Sequence, residues 1–163
     1  MPARRPVATL EKTLMSTTSP PQASPVATLD SLSAADTVLP VLAPHHLSVV
    51  VPMYNEIDNA APLIDAVTAA LADYPQPWEL IVVDDGSRDG TGAALAKHAK
   101  TVGNHIRVLL LARNFRQTAA MQAGIDAARG DVIVTMDGDL QNDPRDIPKL
   151  VAKLLDDDMD LVA

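Results

Sequence analysis

Between residues 47 and 156, short apolar runs alternate with helical patterns four times, and that alternation leaves few folds open. The runs LSVVV (47–51), WELIVV (78–83), IRVLLL (106–111) and VIVT (132–135) are rich in β-branched residues and nearly unbroken by polar ones. Runs of this kind belong to strands buried on both faces. Pro52 closes the first run, because it brings no N–H to a ladder. The next element, a helix, starts at Asp58 or Asn59, tolerates Pro62 in its first turn, and carries Leu63, Ile64, Val67, Ala70 and Leu71 on one face. A second helix, capped by Ser87 or Asp89, runs to about residue 101 with Ala94, Leu95 and Ala99 inward. A third spans 117–128, has Ala120, Met121, Gly124 and Ile125 at core spacing, and stops at Gly130. A fourth opens at Asp143 and Pro144, tolerates Pro148 near its first turn, and buries Ile147, Leu150, Val151 and Leu154. Residues 159–163 begin a fifth strand. The pattern predicts an α/β fold, a mainly parallel sheet with helices on both faces. Right-handed crossovers then bring the carboxyl ends of the strands to one edge, the edge where such sheets bind ligands.

The residues at that edge are chemically uneven. The first strand delivers Tyr54, Asn55 and Glu56, the second Asp84 and Asp85, the third Arg113 and Asn114, the fourth Asp137 and Asp139. Residues i and i+2 of an extended chain point the same way, so Asp137 and Asp139 converge on one target, and Gly138 lets a ligand come close. Two carboxylates with open positions suit a hard cation shared with phosphates. A solvated turn after a strand has the same D-x-D composition. Acids at three of four strand ends on one edge repel one another, and a bound cation or ligand donors would relieve that repulsion. Plainer readings remain for single residues. Tyr54 packs beside the sheet or stacks on a base; Asp85, Gly86 and Ser87 form a turn and cap or touch a ligand; Arg113 is a surface residue or a ligand contact. Phe115 reads as a packing anchor, and His45, His46, His98 and His105 have no metal-ligand spacing.

Composition removes several classes. Without cysteine there are no disulfides, thiolate metal sites or cysteine nucleophiles. The net charge is −8, and in residues 1–44 Glu11, Asp30 and Asp36 are balanced by Arg4, Arg5 and Lys12, so residues 45–163 carry all of it. So acidic a surface argues against nonspecific nucleic-acid binding. No apolar run approaches the roughly 18 residues of a membrane span, and the PVATLEK segment after Arg4 and Arg5 is too short and charged for a signal core. A cytosolic or cytosol-facing protein is the expectation. Residues 1–44 hold seven of the 13 prolines and repeat PVATL at 6–10 and 25–29. They are expected to be a disordered tail, with at most a helical turn at 29–35, ahead of one folded domain at 45–163.

The motifs VVVPMYNE (49–56), VVDDGSRDGT (82–91) and MDGDLQ (136–141), in this order and spacing, resemble family 2 glycosyltransferases of the GT-A fold. RNFRQTAA (113–120) and DLQNDP (139–144) are similar to the polyprenyl-phosphate sugar transferases, the dolichyl-phosphate mannose synthase and undecaprenyl-phosphate glucosyltransferase group, in which glycine usually stands where this chain has Arg116. The resemblance covers about residues 47–163. It implies a Rossmann-like nucleotide-diphospho-sugar transferase half, with Pro52, Tyr54 and Glu56 lining the nucleotide pocket. Asp84 and Asp85 would accept hydrogen bonds from base or ribose, and Arg113 would reach the nucleotide or a phosphate. Asp137 and Asp139 would touch ribose and hold Mg²⁺ or Mn²⁺ against the diphosphate, Gly138 would pass beneath the ribose, and Gln141 would face the sugar phosphate. The implied reaction is inverting transfer from a UDP- or GDP-sugar to a polyprenyl phosphate, with membrane contact through parts outside this chain. Alternatives are transfer to a saccharide hydroxyl, which needs a general base, and a nucleotide-sugar-binding piece without turnover. Because the fifth strand has barely begun at Ala163, the chain is expected to be the donor half of a longer enzyme. A receiver domain would end its first strand in acids, and a dehydrogenase would place G-x-G-x-x-G there; PMYNE (52–56) fits neither.

Overall fold

The computed structural model describes residues 7–9, 44–157 and 159–162. Along the chain run β1 (Val7–Thr9), β2 (Leu47–Met53), α1 (Ile57–Ala70), β3 (Trp78–Asp84), α2 (Thr91–Val102), β4 (Ile106–Leu110), α3 (Gln117–Ala127), β5 (Val132–Thr135), a short 3₁₀ turn (Pro144–Asp146), α4 (Ile147–Asp156) and β6 (Leu161–Val162). The strands form one sheet in the order β4-β3-β2-β5-β1-β6, with every pair parallel. The expected parallel α/β architecture is therefore the one observed.

Alternation along the strands sends side chains to two cores. Val49, Val51, Leu80, Val82, Val132 and Val134 meet α1, α2 and α4 through Leu63, Ile64, Val67, Leu95, Ile147, Val151 and Leu154. Val50, Ile81, Val83 and Ile133 meet Ala120 of α3 and Ala128 just beyond its end. Full burial of each large aliphatic side chain contributes about 1.5–3 kcal/mol, so the first face anchors the fold. On the second face α3 lies very close to the sheet. A Cβ on Gly124 would stand 2.3 Å from Val50 Cγ1 and 3.0 Å from Val83 Cγ2, so only glycine permits that approach.

Several local expectations are corrected. Pro52 does not end its strand; β2 continues to Met53, which pairs with Asp84. Met136 N–H donates to the Val50 carbonyl and Asp85 N–H to that of Met53. Alternate residues address the same neighbour, so Pro52 faces β5, beyond the last pair of that ladder, Val50 with Thr135. Its missing N–H thus leaves no bond unmade. Helix α1 begins at Ile57 rather than at a cap on Asp58 or Asn59. Asp89 serves two helix starts, its Oδ1 accepting from Thr91 N–H (2.9 Å) and hydroxyl (2.6 Å) and its Oδ2 from Ile57 N–H (3.1 Å). Gly130 is not the stop of α3, which ends through an extended Ala128. It is a contact point, since a Cβ there would lie 2.5 Å from the His46 carbonyl oxygen.

Residues Val7–Thr9, expected within an unstructured tail, form a strand between β5 and β6. Ladder partners on both sides and full burial of Ala8 account for it, together with a 2.9 Å hydrogen bond between the Thr135 and Thr9 hydroxyls. The helical turn expected at 29–35 lies outside the described residues.

Candidate functional site

The carboxyl ends of β2 and β5, the loop after β3 and the start of α3 enclose a cavity of about 660 Å³. Pro52, Tyr54, Glu56, Asp85, Asp137, Gly138 and Asp139, all named from sequence, line it. Several are held by contacts at the loop ends. Asp85, only 3% exposed, accepts a 2.7 Å hydrogen bond from Phe115 N–H, which ties the β3 loop to the β4 loop. Gly86 (φ +69°) makes that tie possible, because a Cβ there would lie 2.4 Å from the Arg113 carbonyl carbon. On the other side, Asn55 N–H donates to Ser87 Oγ and Arg88 N–H to Asn55 Oδ1, fastening the β2 loop to the β3 loop. Asp139 Oδ1 accepts from Gln141 N–H at 3.0 Å, an Asx-type turn that aims the carboxylate pair.

Gly138 has a reason of its own. A Cβ there would meet Met53 Cγ at 2.7 Å and Glu56 Oε2 at 3.0 Å, so the glycine admits the protein's own β2 end as well as lining the cavity. Glu56 Oε2 is buried and has no hydrogen-bond partner. Burial raises the Glu56 carboxyl above its ordinary value, a bond from Asn59 pulls it down, and the nearby Asp139, Asp137 and Asp89 charges push it up again. An orphaned carboxylate oxygen thus stands beside two further carboxylates.

Three of the sequence-predicted residues do not join this cavity. Asp84 is buried and accepts from Ser87 N–H at 3.3 Å. It lines, with Arg113, a second cavity of about 640 Å³ bordered by Tyr54 and the start of α2. Neighbours on a strand point to opposite sides, so Asp84 and Asp85 part company. The Arg113 guanidinium lies 4.8 Å from the centroid of the Phe115 ring, a cation–π contact beside the second cavity. Gln141 contributes its N–H to Asp139 but is not among the residues lining either cavity.

Asn114, placed at this edge from sequence, lines the main cavity as well, and so do Met53, Arg116, Gln117 and Ala120, which the sequence reading did not assign to the site. Gln117, the first residue of α3, donates from Nε2 to Asp137 Oδ1 at 2.8 Å. The signal was present in the RNFRQTAA run, since a strand end followed at once by a helix start faces the ligand edge in this architecture.

Two carboxylates within one turn, with an unpartnered third oxygen beside them, fit a hard divalent cation whose other ligands come from a phosphate. Among the described residues no group of three or more acidic or histidine side chains converges to hold a metal without such help.

The pattern of the glycosyl transferase family 2 model matches residues 48–163. The chain belongs to glycosyl transferase family 2. A dodecaprenyl-phosphate galacturonate synthase of Rhizobium johnstonii is 54% identical over 116 residues, 71% of this chain and 34% of the relative. An undecaprenyl-phosphate 4-deoxy-4-formamido-L-arabinose transferase of Salmonella paratyphi A is 43% identical, over 71% of this chain and 35% of the relative. This family 2 chain thus spans about a third of the length of the curated relatives it matches. Among solved structures, a Pyrobaculum calidifontis mannosyltransferase in complex with GDP-Man and Mn²⁺ superposes with a TM-score of 0.59 at 25% identity, covering 69% of this chain and 33% of that one. The fold is that of the GT-A glycosyltransferases, as the family 2 resemblance implied.

Proposed function

We propose that the family 2 chain binds the nucleotide-diphosphate sugar in a glycosyl transfer to a polyprenyl phosphate. The observation that carries this reading is the meeting of Asp137 and Asp139 with Glu56 and Gln117 in one cavity at the carboxyl edge of the sheet. The acceptor class rests on the polyprenyl-phosphate relatives, and the divalent metal on the acid set and on the mannosyltransferase solved with GDP-Man and Mn²⁺.

In this reading Pro52, Tyr54 and Asp85 take the nucleoside, and Asp137 and Asp139 face the diphosphate. A divalent cation held by Asp137 and Asp139 would neutralise the charge that gathers on the departing diphosphate. Gln117 fixes the orientation of Asp137 through its amide, so that the carboxylate meets the ligand without reorganisation. An oxygen of the acceptor phosphate attacks the anomeric carbon as the bond from that carbon to the diphosphate breaks, and configuration inverts. The attacking phosphate is already anionic, so no general base is required. Such an acceptor sits at a membrane, and the donor side faces the cytosol. Among the described residues no helix is long and apolar enough to cross a membrane.

The test is thermal unfolding of the 163-residue chain with UDP, GDP and their sugars, with Mn²⁺ and with chelator. Ligand at about a hundred times its Kd stabilises by about 2.7 kcal/mol, and Asp139→Asn should remove the metal dependence of that gain. No shift with any nucleotide, or a shift indifferent to chelator, overturns the reading.

A further inference from the structure

Arg116 lines the main cavity in a backbone conformation that only glycine adopts at ease. Its φ of 75° and ψ of 160° lie in a region essentially closed to side-chain-bearing residues. Both flanks hold it there. Asn114 Oδ1 accepts from Arg116 N–H at 2.9 Å, and the Arg116 carbonyl accepts from Ala119 and Ala120 N–H at 3.0 and 3.1 Å, opening α3. The backbone would be better served by glycine, so the retained arginine asks for a reason in its side chain.

The surroundings supply one. Among the described residues the other ionisable groups lining the cavity, Tyr54 apart, are Glu56, Asp85, Asp137 and Asp139, all acids. Arg113 stacks on Phe115 and lines the neighbouring cavity instead. Among the described residues the Arg116 guanidinium takes part in no ion pair and no side-chain hydrogen bond.

We propose that Arg116 is the cation that receives an anionic group of the donor, its diphosphate or a carboxylate on its sugar. The inference rests on the donor-site reading given above. A guanidinium offers planar, paired donors that match phosphate and carboxylate oxygens. Its exposure suits a group that must be released after each turnover. The strain is then the consequence of placing that cation at the start of α3.

The test compares the full 163-residue chain with Arg116→Gly, Arg116→Ala and Arg116→Lys. Ligand-free thermal unfolding is read beside calorimetric affinity, in Mn²⁺, for UDP, GDP, UDP-glucose and UDP-glucuronate. Arg116→Gly should raise Tm by about 3 °C while weakening binding roughly tenfold. Arg116→Ala keeps the strain and loses the charge, so it should weaken binding equally with no rise in Tm. Arg116→Lys keeps the charge without the paired donors, so it should recover only part of the affinity that glycine and alanine lose. An equal loss for every nucleotide assigns the contact to the diphosphate, and a loss confined to the glucuronate assigns it to the sugar carboxylate. If the unsubstituted chain binds and the glycine and alanine variants bind as well, the inference is overturned and the donor site stands. If the unsubstituted chain binds none of these ligands, both fall.

Discussion

Glu79 offers a quantitative test of how the sheet is tied together at the end opposite the cavity. It is 4% exposed on β3, and both its oxygens are engaged. Oε1 accepts from Ser48 Oγ and Arg129 N–H, each at 2.8 Å, and Oε2 accepts from Arg107 Nη1 at 2.8 Å. Ser48 Oγ in turn accepts from Gly130 N–H, and Arg107 also donates to the Ala127 carbonyl. One carboxylate thus joins β2, β3, β4 and the chain leaving α3. Burial raises its pKa, but the hydrogen bonds from Arg107, Arg129 and Ser48 outweigh burial and hold it below the ordinary 4.5. Glu79→Gln keeps the volume and one acceptor. If its oxygen serves Ser48 and Arg129, its amide nitrogen must face the guanidinium, donor against donor. One charge-assisted bond is lost, worth about 1.5–3 kcal/mol, with the lower half favoured because Arg107 is 24% exposed and water can reach it. With a urea m-value of about 1–3 kcal/mol/M, the unfolding midpoint at about pH 7 should fall by about 1 M. A group whose folded pKa is depressed contributes stability above its unfolded pKa and loses it as pH falls through the folded value. The gap between wild type and Glu79→Gln should therefore be full near neutral pH and close progressively below pH 4.5. A midpoint within about 0.2 M of wild type near neutral pH, or a gap that widens on acidification, would show that the carboxylate does not tie these strands together.

Two further substitutions probe the close approaches. Gly124→Val places a Cβ 2.3 Å from Val50 Cγ1 and must lift α3 off the sheet; a loss of about 2–4 kcal/mol, combining overpacking with lost burial, should appear in denaturant melts followed by circular dichroism. Gly138→Ala meets Met53 Cγ at 2.7 Å and the Glu56 carboxylate at 3.0 Å. It should displace the β2 end and weaken metal-dependent nucleotide binding at least several-fold by calorimetry, while Tm falls by only a few degrees.

The strands were legible because β2, β3 and β5 are buried on both faces, which forces near-continuous apolar runs that no exposed element needs. The loops were less so. Val7–Thr9 is three residues long, and its partner strand β5 lies more than a hundred residues away, so no local periodicity announces it. Gly130 has the right residue type for a helix stop, but its reason is the His46 carbonyl, a contact that only the folded sheet creates. The i, i+2 rule of an extended chain pointed to Asp137 and Asp139, but β5 ends at Thr135, and the two reach one cavity from the turn beyond it, where Gln141 N–H holds Asp139.

The same rule, applied one step further, separates residues that the family resemblance had grouped. Asp84 and Asp85 are adjacent on a strand end and face opposite ways, so a single pocket receives one of them. Arg113 and Arg116 are divided by a different cause. Phe115 N–H is held by Asp85, and the Arg113 backbone passes directly against Gly86, where a Cβ would lie 2.4 Å from its carbonyl carbon. Arg113 is thereby committed to the side of Asp84, beside Phe115, while the chain beyond Phe115 crosses to the side of Asp85. The arginine that a strand-end reading would choose comes too early, and the positive charge reaches the acid-lined cavity from the residue just beyond that crossing. A buried carboxylate and a glycine, neither of them an ion-pair partner of an arginine, stand where the two arginines part, and Arg116 is the one that lines the acid-rich cavity.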